Sequence, residues 1–554
     1  MSRRRLWMLL PLALLAYALP LAWRGLWIPD ESRYAQIAQE LWRRGDWVVP
    51  HFLGLPYFEK PIGGYWTQAI AQAWLGDSLF SVRLVPLLAS LATTALVVRL
   101  TRLIWQDRPL ALLAGVVYLS CVAVAGLATY VTLDAQFAFW MALALLALWQ
   151  VQAAETRGAA LVQWALLGLA CGCGLLTKGF LALVLPVLVA VPFFLLQRRL
   201  GELLCRGPLA VLVAILVVAP WALLVARRDA DFWNFFFWHE HIQRFAGQDA
   251  QHERPFWFYG PVLLLAILPW AGLLPRTLGQ LWQDRRHRGT AFLGIAVVGQ
   301  LLFFSLSRGK LPTYLLPTLA ALVPLLARTL QEASRRGATG ALRLNGLCNL
   351  LLGLAGLAAL LIYGGRLYES GEGLTRALAL LAPLALLLAG LAALVWPRRT
   401  LLAPALALWV LLPLLSIALP NGLVDNKLPS TFIQAQLGHF KNAGLLVSND
   451  LGVAASLAWA THRDDVVLVG GPGELKYGFA REPASGRLIE ERDLAAWLAA
   501  HRDQGPVAIL LRVDGPSDRQ LLDSLPEPGE SIASERLVLL VYPRPTPWPP
   551  STAC

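Results

Sequence analysis

Apolar stretches long enough to cross a lipid bilayer recur along this chain, and they leave little choice of fold. Runs of about 17 to 25 residues fall near 6–27, 79–104, 109–127, 133–153, 160–177, 179–196, 208–226, 259–276, 289–306, 312–329, 342–363, 375–396 and 401–420. With 57% hydrophobic and 15% charged residues over 554 positions, the chain is too apolar to hide these runs in an aqueous core. Inside a bilayer each run must satisfy its own backbone hydrogen bonds, which a helix does. The reading is an α-helical polytopic membrane protein of about 13 transmembrane helices, with its termini on opposite sides.

Orientation follows from the cations. The chain carries a net charge of +12, and only six of its 47 cations are lysines. Arginines crowd the N-terminal tail and alternate loops: Arg99, Arg102 and Arg108, then Arg198, Arg199 and Arg206, then Arg285, Arg286 and Arg288, then Arg335 and Arg336, then Arg398 and Arg399. That is the positive-inside pattern, with the N-terminus cytoplasmic. It accounts for the positive charge without nucleic acid. Arg3–Arg5 followed by Leu6–Pro20 has the form of a secretory signal, and Ala16-Tyr17-Ala18 offers a cleavage site. An uncleaved first span is expected, because the apolar stretch continues towards Trp27. Five of the six cysteines lie in or beside apolar helices and read as small buried hydrophobes rather than a disulfide framework.

Two regions break the membrane pattern. The first outward loop, 28–78, repeats apolar and aromatic residues at helical spacing over 32–44 and 61–75, with Ser32 and Pro61 as start signals. These segments read as amphipathic helices lying on the membrane surface. The transmembrane domain, 1–420, includes this loop. After Asn421, strand-like runs at 444–450, 465–470, 507–513 and 536–542 alternate with helical patterns at 451–460 and 491–502. This is the pattern of a small α/β domain over 421–554, placed outside by the topology.

Candidate chemistry collects at the outward ends of the helices. Asp30-Glu31, Arg33, Tyr34, Tyr57, Glu59 and Lys60 share the first loop, where isolated acids would read only as solvated surface. Asp134 begins an apolar helix, a position that either compensates the helix dipole or is used chemically. Lys60, Lys178 and Lys310 offer compact charges suited to phosphate, against the ordinary alternative of snorkelling lysines. Tyr314 follows Lys310 at the mouth of a span, as an interfacial anchor or a site residue. Glu240 and Arg244 stand four apart and can simply pair on a helix. His241 with Glu59 would supply two ligands to a divalent metal, too few for a zinc site by themselves.

Five of these segments, IPDESRYAQIAQEL, GLPYFEKPIGGYW, TLDAQFAFW, EHIQRF and RGKLPTYLLP, resemble the ArnT group of polyprenyl-phosphate-sugar-dependent GT-C glycosyltransferases. The resemblance covers the chain through roughly residue 330, and no motif can be placed beyond it. It implies a GT-C fold with a periplasmic α/β domain in a bacterial inner membrane. It also implies transfer of 4-amino-4-deoxy-L-arabinose from an undecaprenyl phosphate carrier to lipid A phosphates, with inversion, conferring resistance to cationic peptides such as polymyxin. On matching positions, Asp30 would be the main catalytic carboxylate and Asp134 the second acid. Arg33, Tyr34, Tyr57 and Lys60 would line the cavity, with Lys60 and Arg244 on the carrier phosphate and Lys310 and Tyr314 in the substrate site. Glu59 and His241 would match a metal-binding pair, zinc being the candidate, although His239 competes with His241; no cofactor is otherwise implied. The alternatives are another lipid-linked transferase, such as a protein O-mannosyltransferase, and a lipid flippase or transporter. Transporters place ionisable groups at mid-membrane, where this chain has few.

Overall fold

The computed structural model describes residues 3–243, 253–481 and 486–545, with the side chains of 3–10, 239–243 and Leu415 outside that description. In chain order the helices begin α1 (Arg3–Trp23), α2 (Asp30–Arg44), α3 (Gly63–Leu75), α4 (Leu79–Trp105), α5 (Arg108–Leu119), α6 (Val122–Ala128), α7 (Asp134–Ala153), α8 (Arg157–Lys178), α9 (Leu181–Leu196) and α10 (Leu200–Arg228). The chain divides into two compact units. One comprises Met1–Trp23, Glu59–Ala71 and Ser78–Pro420; the other comprises Arg24–Phe58, Gln72–Asp77 and Asn421–Cys554.

The first unit is a helical bundle. Among the described residues, eight helices are long and apolar enough to cross a membrane: α4, α7, α8, α10, Arg288–Leu306, Pro312–Arg336, Thr339–Leu367 and Gly373–Val395. Two bent pairs raise the number to ten if each is one span: α5 with α6, at 65°, and Phe256–Ala266 with Ala271–Gln283, at 113°. The remaining apolar runs of the sequence coincide with the shorter apolar helices in α1, α9 and Ala403–Ile417. All thirteen runs are therefore helical, but the straight span read over 259–276 is instead a chain that turns back on itself. The 78% and 83% buried apolar windows of α7 and Pro312–Arg336 make these the central helices, whereas Thr339–Leu367, at 17%, is peripheral. Close approach of α8 and α10 rests on Gly168 and Gly172, spaced four apart: a Cβ would stand 2.4 Å from Ala210 O and 2.8 Å from Val217 Cβ. Small residues at that spacing let helix backbones meet where apolar burial gives no preference over lipid.

The second unit is built on a six-stranded sheet. A two-residue hairpin, β1 (His51–Phe52) and β2 (Leu55–Pro56), precedes β3 (Leu445–Ser448), β4 (Val467–Val469), β5 (Leu488–Ile489), β6 (Val507–Arg512), β7 (Glu530–Ala533) and β8 (Leu537–Tyr542). The order in the large sheet is β5-β4-β3-β6-β8-β7. The four strands β5 to β6 are parallel, with Val447 paired to Val467 on one side and Ile509 on the other, and β7 and β8 close one edge antiparallel. Val447, Val467, Ile509 and Leu540 form a core with Leu494 and Leu498. Each such fully buried aliphatic side chain contributes about 1.5–3 kcal/mol.

The second compact unit takes in residues 24–58 and 72–77 besides those after 420. Residues 24–58 pack with the α/β domain. Within α2, ten residues from Glu31 to Leu41 are buried, so this helix is not the membrane-surface helix its amphipathic pattern suggested. Polar residues of the helix are engaged as well: the buried Gln39 donates from Nε2 to Trp459 O at 3.1 Å, and the exposed Arg44 pairs with Asp464 at 3.0 Å. A period of 3.6 marks a buried stripe without saying whether lipid or protein covers it. Nor is Ser32 the cap. The helix begins at Asp30, and the Ser32 hydroxyl, fully buried, donates to Pro29 O at 3.2 Å.

Candidate active site

The N-terminus of α2 separates its two acids. Both stand in the first turn, where the helix dipole favours negative charge, and Arg43 and Arg44 in the last turn complement the other end. Glu31 turns inward: its side chain is fully buried, accepting from Arg24 Nη2 at 3.2 Å and from Trp27 N at 2.9 Å. It therefore ties down the chain that leads into the helix. Asp30 turns outward, 41% exposed, and accepts from Arg33 Nη2 at 2.6 Å. Gly452 allows this entry to pack closely, since a Cβ there would meet Ile28 Cβ at 2.9 Å and Pro29 Cα at 3.1 Å.

Arg33 organises the cluster. Besides Asp30 it pairs with Glu474 and lies over the Tyr34 ring at 4.9 Å. The Tyr57 hydroxyl donates to the same Glu474 Oε2 at 3.0 Å. Burial alone would lower the Arg33 pKa, but Tyr57, Tyr34, Glu474 and Asp30 around it hold it well above the ordinary value. Tyr57 is delivered by the hairpin, whose turn residues Leu53 (φ 51°) and Gly54 (φ 77°) both adopt the left-handed conformation that primed hairpin turns require. Two α2 side chains hold that turn. Gln36 Oε1 accepts from Leu53 N at 3.4 Å and Glu40 Oε2 from Gly54 N at 3.2 Å.

Glu474 was not legible as a site residue. It follows β4 in the loop Gly470-Gly471-Pro472-Gly473, where Gly470 (φ 96°) and Gly473 (φ 51°) take backbone conformations rare for other residues. The only sequence signal was an acid inside a glycine-rich turn after a strand, some 440 residues from its partner.

The helical unit holds a second cluster. Asp134, at the start of α7, pairs with Lys178, at the end of α8, and both side chains are nearly buried. The Lys178 ammonium lies 4.9 Å from the centre of the Tyr314 ring and 5.7 Å from that of Phe137. A pair this dry is held because each ion neutralises the other. Lys60 precedes the glycines that wedge against these helix ends: a Cβ on Gly63 would meet Leu176 Cβ at 2.8 Å, and one on Gly64 would meet Leu133 Cδ2 at 2.5 Å. Thr67 Oγ1 donates to Gln136 Oε1 at 2.8 Å, fastening α3 to α7. The Lys60 ammonium donates to Glu59 O at 2.9 Å.

Lys310 differs from this group. It is 4% exposed, and its ammonium donates to Arg254 O at 3.0 Å and to Ser307 O. Those bonds fasten 253–255 to the loop before Pro312. Lys178, which the sequence offered only as one of three outward lysines, takes the place beside Tyr314 instead. Arg244 and the side chain of His241 lie outside the described residues. Among the described residues no three His, Cys, Asp or Glu side chains converge to hold a metal ion, and Glu59 by itself does not make a zinc site.

A bundle of membrane-length helices, carboxylate–cation clusters at helix ends and an α/β domain are the parts expected of a membrane-embedded GT-C glycosyltransferase, and comparison with known proteins places the chain in that class. Residues 1–236 match the family model for dolichyl-phosphate-mannose-protein mannosyltransferase, and residues 424–541 match that for the C-terminal domain of the arabinosyl transferase ArnT. The chain is 50% identical over 550 residues, 99% of its length, to the whole undecaprenyl phosphate-alpha-4-amino-4-deoxy-L-arabinose arabinosyl transferase of Pseudomonas aeruginosa strain UCBPP-PA14. It is 43% identical to transferase 2 of that name from Pseudomonas fluorescens strain Pf-5, covering 97% of this chain and 93% of the relative. Its fold is similar to crystal structures of ArnT from Cupriavidus metallidurans, with a TM-score of 0.82 to the form bound to undecaprenyl phosphate (24% identity) and 0.79 to the apo form (25% identity), each covering 98% of both chains. The chain belongs to the ArnT family of arabinosyl transferases.

Proposed function

We propose that this protein transfers 4-amino-4-deoxy-L-arabinose from undecaprenyl phosphate to phosphate groups of lipid A, at the periplasmic face of the bacterial inner membrane. The observation that carries the reading is the 50% identity, end to end, to a transferase named for that donor. Breaking the bond between the anomeric carbon and phosphate oxygen leaves a polyprenyl phosphate dianion. Lys60 and Arg244 stabilise that developing charge. A phosphate acceptor is already nucleophilic near neutral pH, so Asp30 need not act as a strong base. Asp30, held by Arg33, orients the acceptor, and Asp134, compensated by Lys178 until substrate arrives, stabilises positive charge at the sugar. A single displacement inverts the anomeric centre. The product carries an amine where lipid A had phosphate charge, which weakens its attraction for cationic peptides such as polymyxin.

The second reading is a transferase that glycosylates protein, favoured by the match of residues 1–236 to the mannosyltransferase model. Mass spectrometry of lipid A and of secreted proteins, from cells with and without the gene, separates the two. A pentosamine increment on lipid A that disappears with the gene is expected. Its absence, with a hexose lost from secreted protein, would reverse the assignment.

A further inference from the structure

At the other ends of the central helices lies a cluster that the transfer reaction does not use. Arg199 Nη1 and Arg288 Nη2 both donate to Gln152 Oε1, at 2.8 and 2.6 Å. Arg199 caps the start of the 29-residue α10, Arg288 opens the 19-residue helix Arg288–Leu306, and Gln152 is in the last turn of α7. Cations at two helix N-termini oppose both dipoles, so the helices themselves add positive charge here. Among the described residues the one acid bonded within the group is Glu202, shared between Arg199 at 2.5 Å and Arg206 at 3.0 Å. Three guanidinium groups therefore stand against one carboxylate.

The inventory of donors points further. Gln152 is 8% exposed and its oxygen is taken by both arginines; among the described residues its buried Nε2 has no hydrogen-bond partner, and neither has the buried Arg288 Nε. Leaving buried donors unmatched is unfavourable. What is missing is an acceptor with several oxygens and negative charge. The site is open on one side, since the side chains of Arg199 and Arg206 are 39% and 33% exposed. The positive-inside pattern puts this end of the helices at the cytoplasmic membrane surface, where basic recesses between helices take anionic headgroups. Arg288 also lies over Trp149, 5.9 Å from its ring centre, which holds the guanidinium plane in place.

We propose that Arg199, Arg206, Arg288 and Gln152 form a binding site for a phosphate group, supplied by an anionic phospholipid headgroup or by soluble phosphate. The site is distinct from the donor and acceptor chemistry above and does not depend on it. The full-length protein in neutral detergent is titrated with short-chain phosphatidylglycerol, phosphatidylcholine or inorganic phosphate, and binding is read from the thermal midpoint and from lipid adducts in native mass spectrometry. Phosphatidylglycerol is expected to raise the midpoint and to be retained where phosphatidylcholine is not. The charge of each arginine near a membrane surface is worth roughly fivefold in affinity, so R199Q/R288Q should bind about 30-fold more weakly and R206Q about fivefold more weakly. Inorganic phosphate that saturates and competes with phosphatidylglycerol would support the site and assign its ligand to the soluble source. Equal effects of phosphatidylglycerol and phosphatidylcholine on the wild-type protein, without effect of phosphate, would overturn the proposal whether or not the double variant folds. So would a folded double variant, or R206Q, with unchanged preference.

Discussion

Replacing Glu474 with Gln preserves the shape of the side chain and removes its charge, so it isolates the link between the α/β domain and the Asp30 loop. Arg33 loses one of its two carboxylate partners, and the Tyr57 hydroxyl exchanges an ionised acceptor for a neutral one. A hydrogen bond to a charged group contributes about 1.5–3 kcal/mol. Because Glu474 is 34% exposed, the lower end applies, and Glu474→Gln should lower kcat/KM about tenfold. Glu474→Ala removes both bonds and should lower it about 100-fold. The loss should fall on kcat/KM with little change in thermal midpoint, since the α/β core lies elsewhere. Tyr57→Phe combined with Glu474→Gln should cost less than the sum of the two, because one bond is broken twice. The assay is transfer from a polyprenyl-linked aminosugar by the reconstituted protein. Wild-type kcat/KM in Glu474→Gln, or strict additivity in the double variant, would refute the reasoning.

Four other changes test separate parts of the structure. Asp30→Asn should abolish transfer while expression and thermal midpoint stay near wild type, since the side chain is 41% exposed; substantial activity would remove it from the catalytic role. Lys178→Met strands Asp134 in a nearly dry site and should destabilise by about 2–3 kcal/mol, with the α7 dipole offsetting part of the penalty. Adding Asp134→Leu should restore the midpoint and leave transfer dead, as circular dichroism melts and turnover assays would show. Lys310→Met should lower the midpoint, through loss of two bonds to carbonyls, with the donor KM of the surviving folded protein unchanged; a raised KM would return Lys310 to the phosphate site. Burial, with help from the Arg44 cation, lowers the His51 pKa to about 4. The unfolded chain takes up that proton near pH 6.5 and the folded one does not, so stability should fall as pH drops from about 6.5 to about 4, by no more than about 3 kcal/mol. His51→Gln should flatten that slope, and parallel melts of the two proteins across the window would refute the assignment.

The membrane helices were legible because a bilayer demands a long apolar run and nothing else in the chain resembles one. Strands β3, β4, β6 and β8 were legible for a similar reason: they are Val-, Leu- and Ile-rich between turns. The edge strands escaped because β5 has two residues and β7, Glu530–Ala533, reads as polar surface. The site was half visible. Asp30, Arg33, Tyr34 and Tyr57 announced themselves as charge and phenol in one loop. Glu474, the acid that Arg33 and Tyr57 share, could not, because ion pairing across 441 positions leaves no periodic trace. Lys178 and Lys310 looked alike in sequence, each a lysine beside a helix end, and only the packing of Gly63–Gly64 and of the loop before Pro312 distinguishes an ion pair from a structural pin.

The α/β domain bears on this distinction between holding and reacting. In parallel doubly wound sheets a ligand crevice opens beyond the carboxyl ends of the strands, where the strand order reverses. Here the reversal lies between β3 and β6. Those ends are closed by the protein itself: Asn449 and Arg512 exchange two hydrogen bonds of 2.8 and 2.9 Å, and the Arg512 guanidinium is taken up by Asp450, Asn426 and Asp514. The helix that starts there, Leu451–Thr461, receives Ile28 and Pro29 on Gly452 and accepts Gln39 at its far end through Trp459 O. The neighbouring loop after β4 contributes Glu474. A face that in other folds of this plan binds a small molecule is thus occupied by residues 24–58 of the same chain. Of the two acids that open α2, Glu31 is used up in this anchoring, which leaves Asp30, paired with Arg33, as the exposed one.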